Sequence, residues 1–492
     1  MNGAPYETVI GLEVHVQLAT RSKLFCRCRT TFGAPPNTQT CPVCIGLPGS
    51  LPVMNRAAFR LALRTAVALN CRIPRFTKWD RKNYYYPDLP KGYQISQYDL
   101  PMSADGWLEI SDPQDRFPPR QVGIIRAHLE EDAGKSMHDE AAGAADSRID
   151  LNRAGTPLLE IVTRPDLRSP LEARVFLTEL KLLLTYLNVS DCNMQEGSLR
   201  VDANVNLHLA APGGTRATPI IEIKNMNSFR AVQRALEFEA QRQYEVWRET
   251  GQTRGDVPKQ TRGWDDQAEV TRPQRHKEES SDYRYFPDPD LVPVTVTPEE
   301  VEQVRGELGE LPAALRGRLE QAHGLPAYDA DVLVNQGRAL VDYYLQLAAA
   351  CGDGKLASNW MQQDVLRTLK ELGLEINQFP VPAASLAELL RAVRAGDLDT
   401  ARARKVLQEM VASGGSVADT LRALGIAKVD QAAIVELCRE LLQANPQIVA
   451  DVRAGKSKAT GALVGQARKR NPQVNPAQIQ QVCLDLIAEM NE

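Results

Sequence analysis

Four stretches of this chain alternate apolar and polar residues with a period of two, and only extended strands in a half-buried sheet satisfy that pattern. Over residues 9–18, Ile10, Leu12, Val14, Val16 and Leu18 share one face while Glu13, His15 and Gln17 share the other. Over 198–209, Leu199, Val201, Ala203, Val205 and Leu207 oppose Arg200, Asp202, Asn204 and Asn206. Ile221 and Ile223 oppose Glu222 and Lys224, and over 122–132 Ile125, Ala127 and Leu129 oppose Arg126, His128 and Glu130. Residues 149–152 repeat the pattern in short form, with Asp150 and Asn152 on the polar side. The expected core is therefore an antiparallel sheet. Helices with a 3.6-residue period over 170–187 and 228–246 belong to the same domain, the first covering one face of the sheet.

The polar face has an unusual composition. A solvated face normally carries assorted Thr, Ser, Lys and Glu, and that bland arrangement gives the same alternation without any function. Here Asp, Glu, His, Asn and Arg recur from strand to strand. Carboxylates and an imidazole bind hard divalent cations, and Arg or Lys beside them steady phosphoryl oxygens. Glu13, His15, Glu130, Asp202 and Glu222 are the candidate acidic and metal-binding groups, and Arg200, Lys224, Asn152 and Asn204 the candidate nucleotide contacts. No G-x-x-x-x-G-K-[ST] occurs, so a P-loop is not the phosphate cradle. A metal–phosphate site and a plain wet face both remain open at this point.

At 492 residues the length suggests about three domains of roughly 150 residues each. Residues 1–293 read as strand-rich; the Pro-rich stretch 286–293 marks their end. Residues 294–407 and 408–492 read as two helical domains, with apolar residues at helical spacing over 385–394 and 433–442. The expected class is α+β. Lys and Arg total 58 against 62 Asp and Glu, a net charge of −4. That balance excludes a uniformly basic nucleic-acid coat protein, but leaves room for a local basic patch. No apolar run reaches the roughly 18 residues that span a bilayer. No signal peptide is evident at residues 1–7, and nine cysteines do not form a disulfide framework, so the expected compartment is the reducing cytoplasm.

Four of the nine cysteines, Cys26, Cys28, Cys41 and Cys44, fall in a C-x-C-x12-C-x-x-C pattern with Pro42 and Gly46 at the second pair. Two thiolate pairs at this spacing suit structural tetrahedral zinc, and a redox pair at Cys41 and Cys44 is the alternative. Near the C-terminus, residues 452–484 carry six basic residues and no acidic one. Lys456, Lys458, Arg468, Lys469 and Arg470 there form a candidate phosphate-backbone contact for RNA, although short charge runs are commonly just solvated surface.

Several long segments carry a family resemblance: 6–16 (YETVIGLEVHV), 80–88 (DRKNYYYPD), 91–97 (KGYQISQ), 128–136 (HLEEDAGKS), 150–160 (DLNRAGTPLLE), 197–204 (GSLRVDAN), 222–229 (EIKNMNSF) and 282–287 (DYRYFP). Together they resemble the B subunits of the tRNA-dependent amidotransferases. The resemblance implies a cradle domain related to glutamine synthetase, an all-α connector and a mobile all-α tail that grips tRNA. It implies ATP-dependent phosphorylation of the side-chain carboxylate of Glu-tRNA(Gln) and/or Asp-tRNA(Asn), followed by amidation with channelled ammonia. An amidase A subunit and a small C subunit are the implied partners, alongside tRNA(Gln) or tRNA(Asn) and a non-discriminating aminoacyl-tRNA synthetase; no membrane is involved. The implied Mg²⁺ ligands are His15, Glu131 and Glu222, with Glu13 and Asp202 close by, and Lys82 is implied at the ammonia-channel end. Alternation selects Glu130 where the resemblance favours Glu131. The two agree only if a bulge at 130–132 reverses the faces, so both stay candidates.

Two other readings make different demands. A non-catalytic zinc-ribbon RNA-binding scaffold needs the tail cations and not the sheet carboxylates. A tRNA-independent carboxylate–amine ligase needs the carboxylates and acts on a free amino acid.

Overall fold

The alternating segments pair with one another. The computed structural model describes residues 6–138, 147–211, 214–274, 283–426, 431–454, 457–470 and 476–489, and it is a mixed α+β protein. Two compact units divide it, Met1–Ala314 and Leu315–Glu492.

Among the described residues of the first unit, nine strands make one sheet. From one edge it runs Val270–Pro273, Gln260–Asp265, Ile221–Lys224, Leu199–Ala211, Tyr6–Gln17, Pro157–Thr163, Arg120–Glu131 and Ala104–Ile110, and Gly214–Ala217 pairs with Leu199–Ala211. The expectation of a wholly antiparallel sheet needs correction at one place. Ile221–Lys224 and Gln260–Asp265 run parallel, because the long helix Phe229–Thr250 carries the chain back to the starting end. Residues 149–152 also fall elsewhere: Ser147–Asp150 pairs with Lys135–His138 in a separate two-stranded ribbon.

The apolar face is buried as the alternation requires. Ile10, Leu12, Val14 and Val16 join Leu199, Val201, Ala203, Val205, Ile221 and Ile223 in one core. Helices Pro170–Tyr186 and Phe229–Thr250 supply Phe176, Leu177, Leu180, Val232, Ala235 and Leu236 to it. Each helix starts where a serine hydroxyl accepts the third backbone N–H, Ser169 from Glu172 and Ser228 from Ala231. Such a cap stabilises by about 1 kcal/mol, and each fully buried large apolar side chain by about 1.5–3 kcal/mol.

One strand breaks phase. In Arg120–Glu131, Ile124 pairs with Thr163 and Arg126 with Val162, so Ile125 is an extra residue in a β-bulge. Val122 and Ile124 are core residues before it, Ala127 and Leu129 after it, and Ile125 is 41% exposed. The expectation that Ile125 shares the apolar face is thereby overturned. Beyond the bulge the ladder is regular, with Glu130 opposite Leu158 and Glu131 opposite Pro157, so no reversal occurs at 130–132.

The first unit continues past the Pro-rich stretch. Phe286 pairs with Arg81, whose guanidinium holds Asp288 at 2.7 Å and Asp290 at 3.0 Å, and Val294–Thr295 pairs with Phe76–Thr77. Helix Pro298–Glu307 then packs Val304 into the core, and Arg60 holds Glu307 at 2.6 Å. The second unit is helical. Arg338–Cys351 packs on Ala383–Arg394, and Gln431–Ala444, Gly461–Arg470 and Pro476–Glu489 close a small core around Ile434, Cys438, Leu463, Ile479 and Cys483. No helix among the described residues is long and apolar enough to cross a membrane.

Candidate active site

The register of the sheet lines up four polar side chains. Arg200, His15, Glu160 and His128 are directly opposite one another across four neighbouring antiparallel strands. Glu130, two residues beyond His128, reaches the same spot. His15 Nε2 lies 3.5 Å from Glu160 and 3.8 Å from Glu130, and His128 Nε2 lies 3.5 Å from Glu160 and 3.7 Å from Glu130. Two imidazoles therefore flank two carboxylates. Ligand atoms of His15, Glu130 and Glu160 all fall within 4.8 Å of one another. Two carboxylates and an imidazole are a donor set that suits a divalent cation, so the residues present fit one.

Burial sharpens this cluster. Glu130 and His128 are nearly inaccessible, and Glu160 is 14% exposed at its side chain. Desolvation disfavours the His15 imidazolium, but the hydrogen bond to Glu160 and the charges of Glu130 and Glu160 outweigh it, so His15 sits above its ordinary range. For Glu160 desolvation pushes upward, yet the His15 bond and the charges of His128, His15 and Arg126 hold it well below the carboxylate range. Arg200 turns its guanidinium onto Asp132 through two bonds of 2.9 and 3.0 Å, and Gln17 adds a third at 2.8 Å.

A second polar group lies further along the face. Lys224 pairs closely with Asp202 and lies 3.7 Å from Glu222, which also meets Lys259 at 3.2 Å and Thr261 at 3.0 Å. Burial raises the Glu222 carboxyl, but the Lys224 and Lys259 ammonium groups outweigh it and keep it low. Asn204 donates to Glu13 at 3.0 Å, while its buried Oδ1 has no hydrogen-bond partner among the described residues. Glu13, Asp202, Asn204, Glu222 and Lys224 thus form one neighbourhood, and Glu222 does not converge with His15.

Glu131 points the other way. With no reversal at 130–132, it faces the core side, pairs closely with Lys91 and accepts the Ile95 backbone N–H at 2.9 Å. Lys82 lies in the small sheet formed by Phe286–Pro287, Asp80–Asn83 and Tyr93–Ser96. Its ammonium stands over Tyr283 and Tyr84, 4.8 and 5.7 Å from their ring centres. The Tyr84 hydroxyl is pushed up first by burial and then by the charge of Glu130, which relates this aromatic cage to the histidine cluster. Asn152 is not on the sheet face. It holds the 34–39 loop, donating to Pro35 at 2.7 Å and accepting from Gln39 at 2.8 Å.

Sequence reasoning missed Glu160 and left His128 without a role. The strand Pro157–Thr163 reads PLLEIVT, apolar on both faces because it is central, so no alternation announces it. The available signal was a single carboxylate inside that apolar run.

The four cysteines converge as the spacing requires. A hairpin bridged at Ser22 and Arg29 carries Cys26 and Cys28, and the short helix Pro42–Ile45, closed by Gly46 at φ +72°, carries Cys44 after Cys41. Their sulfurs lie within 4.8 Å of one another, Cys41 and Cys44 at 3.9 Å, close to the spacing of thiolates around one tetrahedral zinc. The hydrogen bond from Cys26 holds the Cys44 thiol down to about 4. Every cysteine is free.

In the tail, Arg468, Lys469 and Arg470 are exposed on the last turn of Gly461–Arg470, with Arg470 held 2.9 Å from Glu440. Lys456 lies outside the described residues, as does the side chain of Lys458.

Comparison with known proteins covers almost the whole chain. Residues 8–302 match the model described as the GatB/GatE catalytic domain, and residues 342–487 the one described as the GatB domain. A Rhodopirellula baltica protein is 60% identical over 486 residues, covering 99% of this chain and 98% of its own length. A Moorella thermoacetica protein is 51% identical over 467 residues, 94% of this chain and 96% of its own. A Carboxydothermus hydrogenoformans protein is 44% identical over 490 residues, 99% of each. All three are named as the B subunit of an aspartyl/glutamyl-tRNA(Asn/Gln) amidotransferase.

Proposed function

The chain belongs to the family of aspartyl/glutamyl-tRNA(Asn/Gln) amidotransferase B subunits, and from that premise we propose that its sheet face is the site where a tRNA-borne carboxylate is activated and amidated. The role is that of one component of a tRNA-dependent amidotransferase, a glutamine-dependent carbon–nitrogen ligase. ATP phosphorylates the side-chain carboxylate of Glu-tRNA(Gln) and/or Asp-tRNA(Asn), and ammonia then displaces phosphate. An acyl phosphate replaces one difficult substitution by two easier ones. The observation that carries this reading is the buried cluster of two imidazoles and two carboxylates built by strand register.

His15, Glu130 and Glu160 would hold Mg²⁺, which when bound neutralises phosphoryl oxygens. Glu131 and Glu222, implied as ligands by resemblance, have other work in this arrangement. Glu222 and Asp202 orient Lys224 and Lys259 toward phosphate charge, and Glu131 anchors Lys91. Arg200, fixed by Asp132, presents a cation beside the cluster, and Asn204 and Glu13 offer polar contacts for nucleotide or substrate. Lys82 in its tyrosine cage marks the side from which ammonia arrives. Zinc at Cys26, Cys28, Cys41 and Cys44 is structural, since a closed Cys₄ set leaves no open position.

The first unit, which runs to Ala314 and not to the expected 293, acts as the catalytic cradle, the helices after it to residue 407 as connector and 408–492 as the tRNA-binding tail, where Lys456, Lys458, Arg468, Lys469 and Arg470 contact phosphates. Ammonia comes from an amidase subunit, a third small subunit completes the complex, and the site of action is the cytoplasm. The test is the reconstituted complex with each misacylated tRNA, ATP and glutamine. His15→Ala and Glu222→Gln abolish phosphate release while glutamine hydrolysis survives in part. Wild-type turnover by either variant removes that residue from the site.

A further inference from the structure

The cysteine cluster encloses a charge that its own thiols do not explain. Lys23 is fully buried, at 0% exposure, and is among the largest side chains hidden in the protein. Its ammonium donates to Cys44 Sγ at 3.5 Å and to the carbonyl of Leu151 at 3.3 Å. Among the described residues it makes no ion pair with a carboxylate, and the adjacent Glu131 is taken by Lys91. A buried ammonium persists only where a negative charge answers it. Among the described residues, the group within hydrogen-bond reach that can supply that charge is the Cys44 sulfur.

The placement is specific. Lys23 belongs to the hairpin that carries the first two cysteines, and its backbone N–H donates to the Cys28 carbonyl at 3.0 Å. Its side chain then crosses to Cys44 of the second pair, which also receives the Cys41 backbone N–H at 3.2 Å. At Gly155, φ is +82°, and a Cβ would lie 3.5 Å from both Cys44 and Lys23 and 3.7 Å from Glu131, so this glycine floors the junction. Four thiolates around one dication leave a doubly negative centre, and a single ammonium within hydrogen-bond reach halves that excess.

We propose that Lys23 is the built-in counter-charge of the Cys₄ zinc centre, a positioning residue that lowers the thiolates' electron density and slows loss of the metal. The proposal rests on the zinc reading above. Hydrogen bonds to a metal ligand of this kind are worth about 10- to 100-fold in metal affinity.

Full-length wild type, Lys23→Met, Lys23→Gln and Lys23→Arg are assayed for zinc content, for zinc release to a chromophoric chelator, and, after cobalt substitution, for the sulfur-to-cobalt charge-transfer band. Lys23→Met is expected to release zinc about 10- to 100-fold faster and to shift the band to lower energy, since its thiolates become more electron-rich. Lys23→Arg restores both to near wild type. Should Lys23→Met fail to fold, Lys23→Gln, which keeps a donor and loses the charge, carries the comparison. A lysine that merely fills space would change melting temperature and leave the cobalt band in place. Wild type with one zinc per chain, and neutral variants with unchanged release and band, overturns the role of Lys23 alone. Wild type that binds no zinc overturns the zinc reading and this inference together.

Discussion

Replacing Glu160 by Gln tests the site at the residue that alternation does not reveal. The amide keeps the shape and can still accept a hydrogen bond, so the fold is retained and only the charge is lost. Glu160 stands 3.5 Å from the Nε2 of both His15 and His128 and is 14% exposed at its side chain. A hydrogen bond to a charged partner at such a buried position contributes about 1.5–3 kcal/mol. Neutralising one of the two carboxylates beside His15 should therefore weaken divalent-cation binding by roughly 10- to 150-fold. Mn²⁺ titration followed by electron paramagnetic resonance reads the affinity, and phosphate release with misacylated tRNA reads the consequence. Glu109→Gln, exposed on the edge strand Ala104–Ile110, serves as the control and should change neither. If Glu160→Gln binds Mn²⁺ within twofold of wild type and releases phosphate at the wild-type rate, the cluster is an ordinary buried ion-pair network and the site lies elsewhere.

Other perturbations probe independent parts of the molecule. Gly155→Ala forces a side chain into φ +82°, and should lower stability by about 1–3 kcal/mol in urea unfolding, chiefly through backbone strain. Asp112 receives Arg116 Nε at 2.6 Å and the Arg116 backbone N–H at 2.9 Å, and the Arg116 bond holds its carboxyl down to about 2. Its folded pKa is depressed, so its contribution is complete above the unfolded value of about 4 and is lost as pH falls through about 2. Unfolding of wild type and Asp112→Asn should therefore differ at neutral pH and converge across that window. Reversing Arg468 and Lys469 to Glu should weaken tRNA binding without regard to sequence, and should flatten the salt dependence of log K by about 0.7–0.9 for each phosphate no longer neutralised. An unchanged salt slope would show that this turn does not touch the backbone.

Much of the sheet was legible because one period carries two messages. Residues 9–18, 198–209 and 221–224 reveal their buried and polar faces together, and the pairing of Glu13 with Asp202 follows from aligning them. The helical spacing over 170–187 and 228–246 places two helix starts to within a residue. Three features were not legible, for different physical reasons. The strand holding Glu160 is central and apolar on both sides, so its period is hidden. The parallel pair depends on where a 22-residue helix delivers the chain, which is a tertiary matter. The bulge at Ile125 adds a residue with no compositional mark, and it turned Ile125 itself off the apolar face. Resemblance named long motifs correctly as a group, yet it could not say which side of a strand each carboxylate would take.

Ile125 has a further consequence for how this protein can vary. The strand Arg120–Glu131 is written in two reading frames, one for the half that begins it and one for the half that carries His128 and Glu130. The extra residue is the frame shift that joins them. Forced into one-to-one pairing, Ile125 would make the first half satisfy its neighbours only by turning both His128 and Glu130 inward and Leu129 outward, an exchange of core for chemistry along several positions at once. Substitution at 125 is therefore cheap, because the side chain lies in solvent, and even its removal would leave Ile124 on Thr163 and Arg126 on Val162 with every face kept. In this strand, pairing register and not the count of residues is what aims the site.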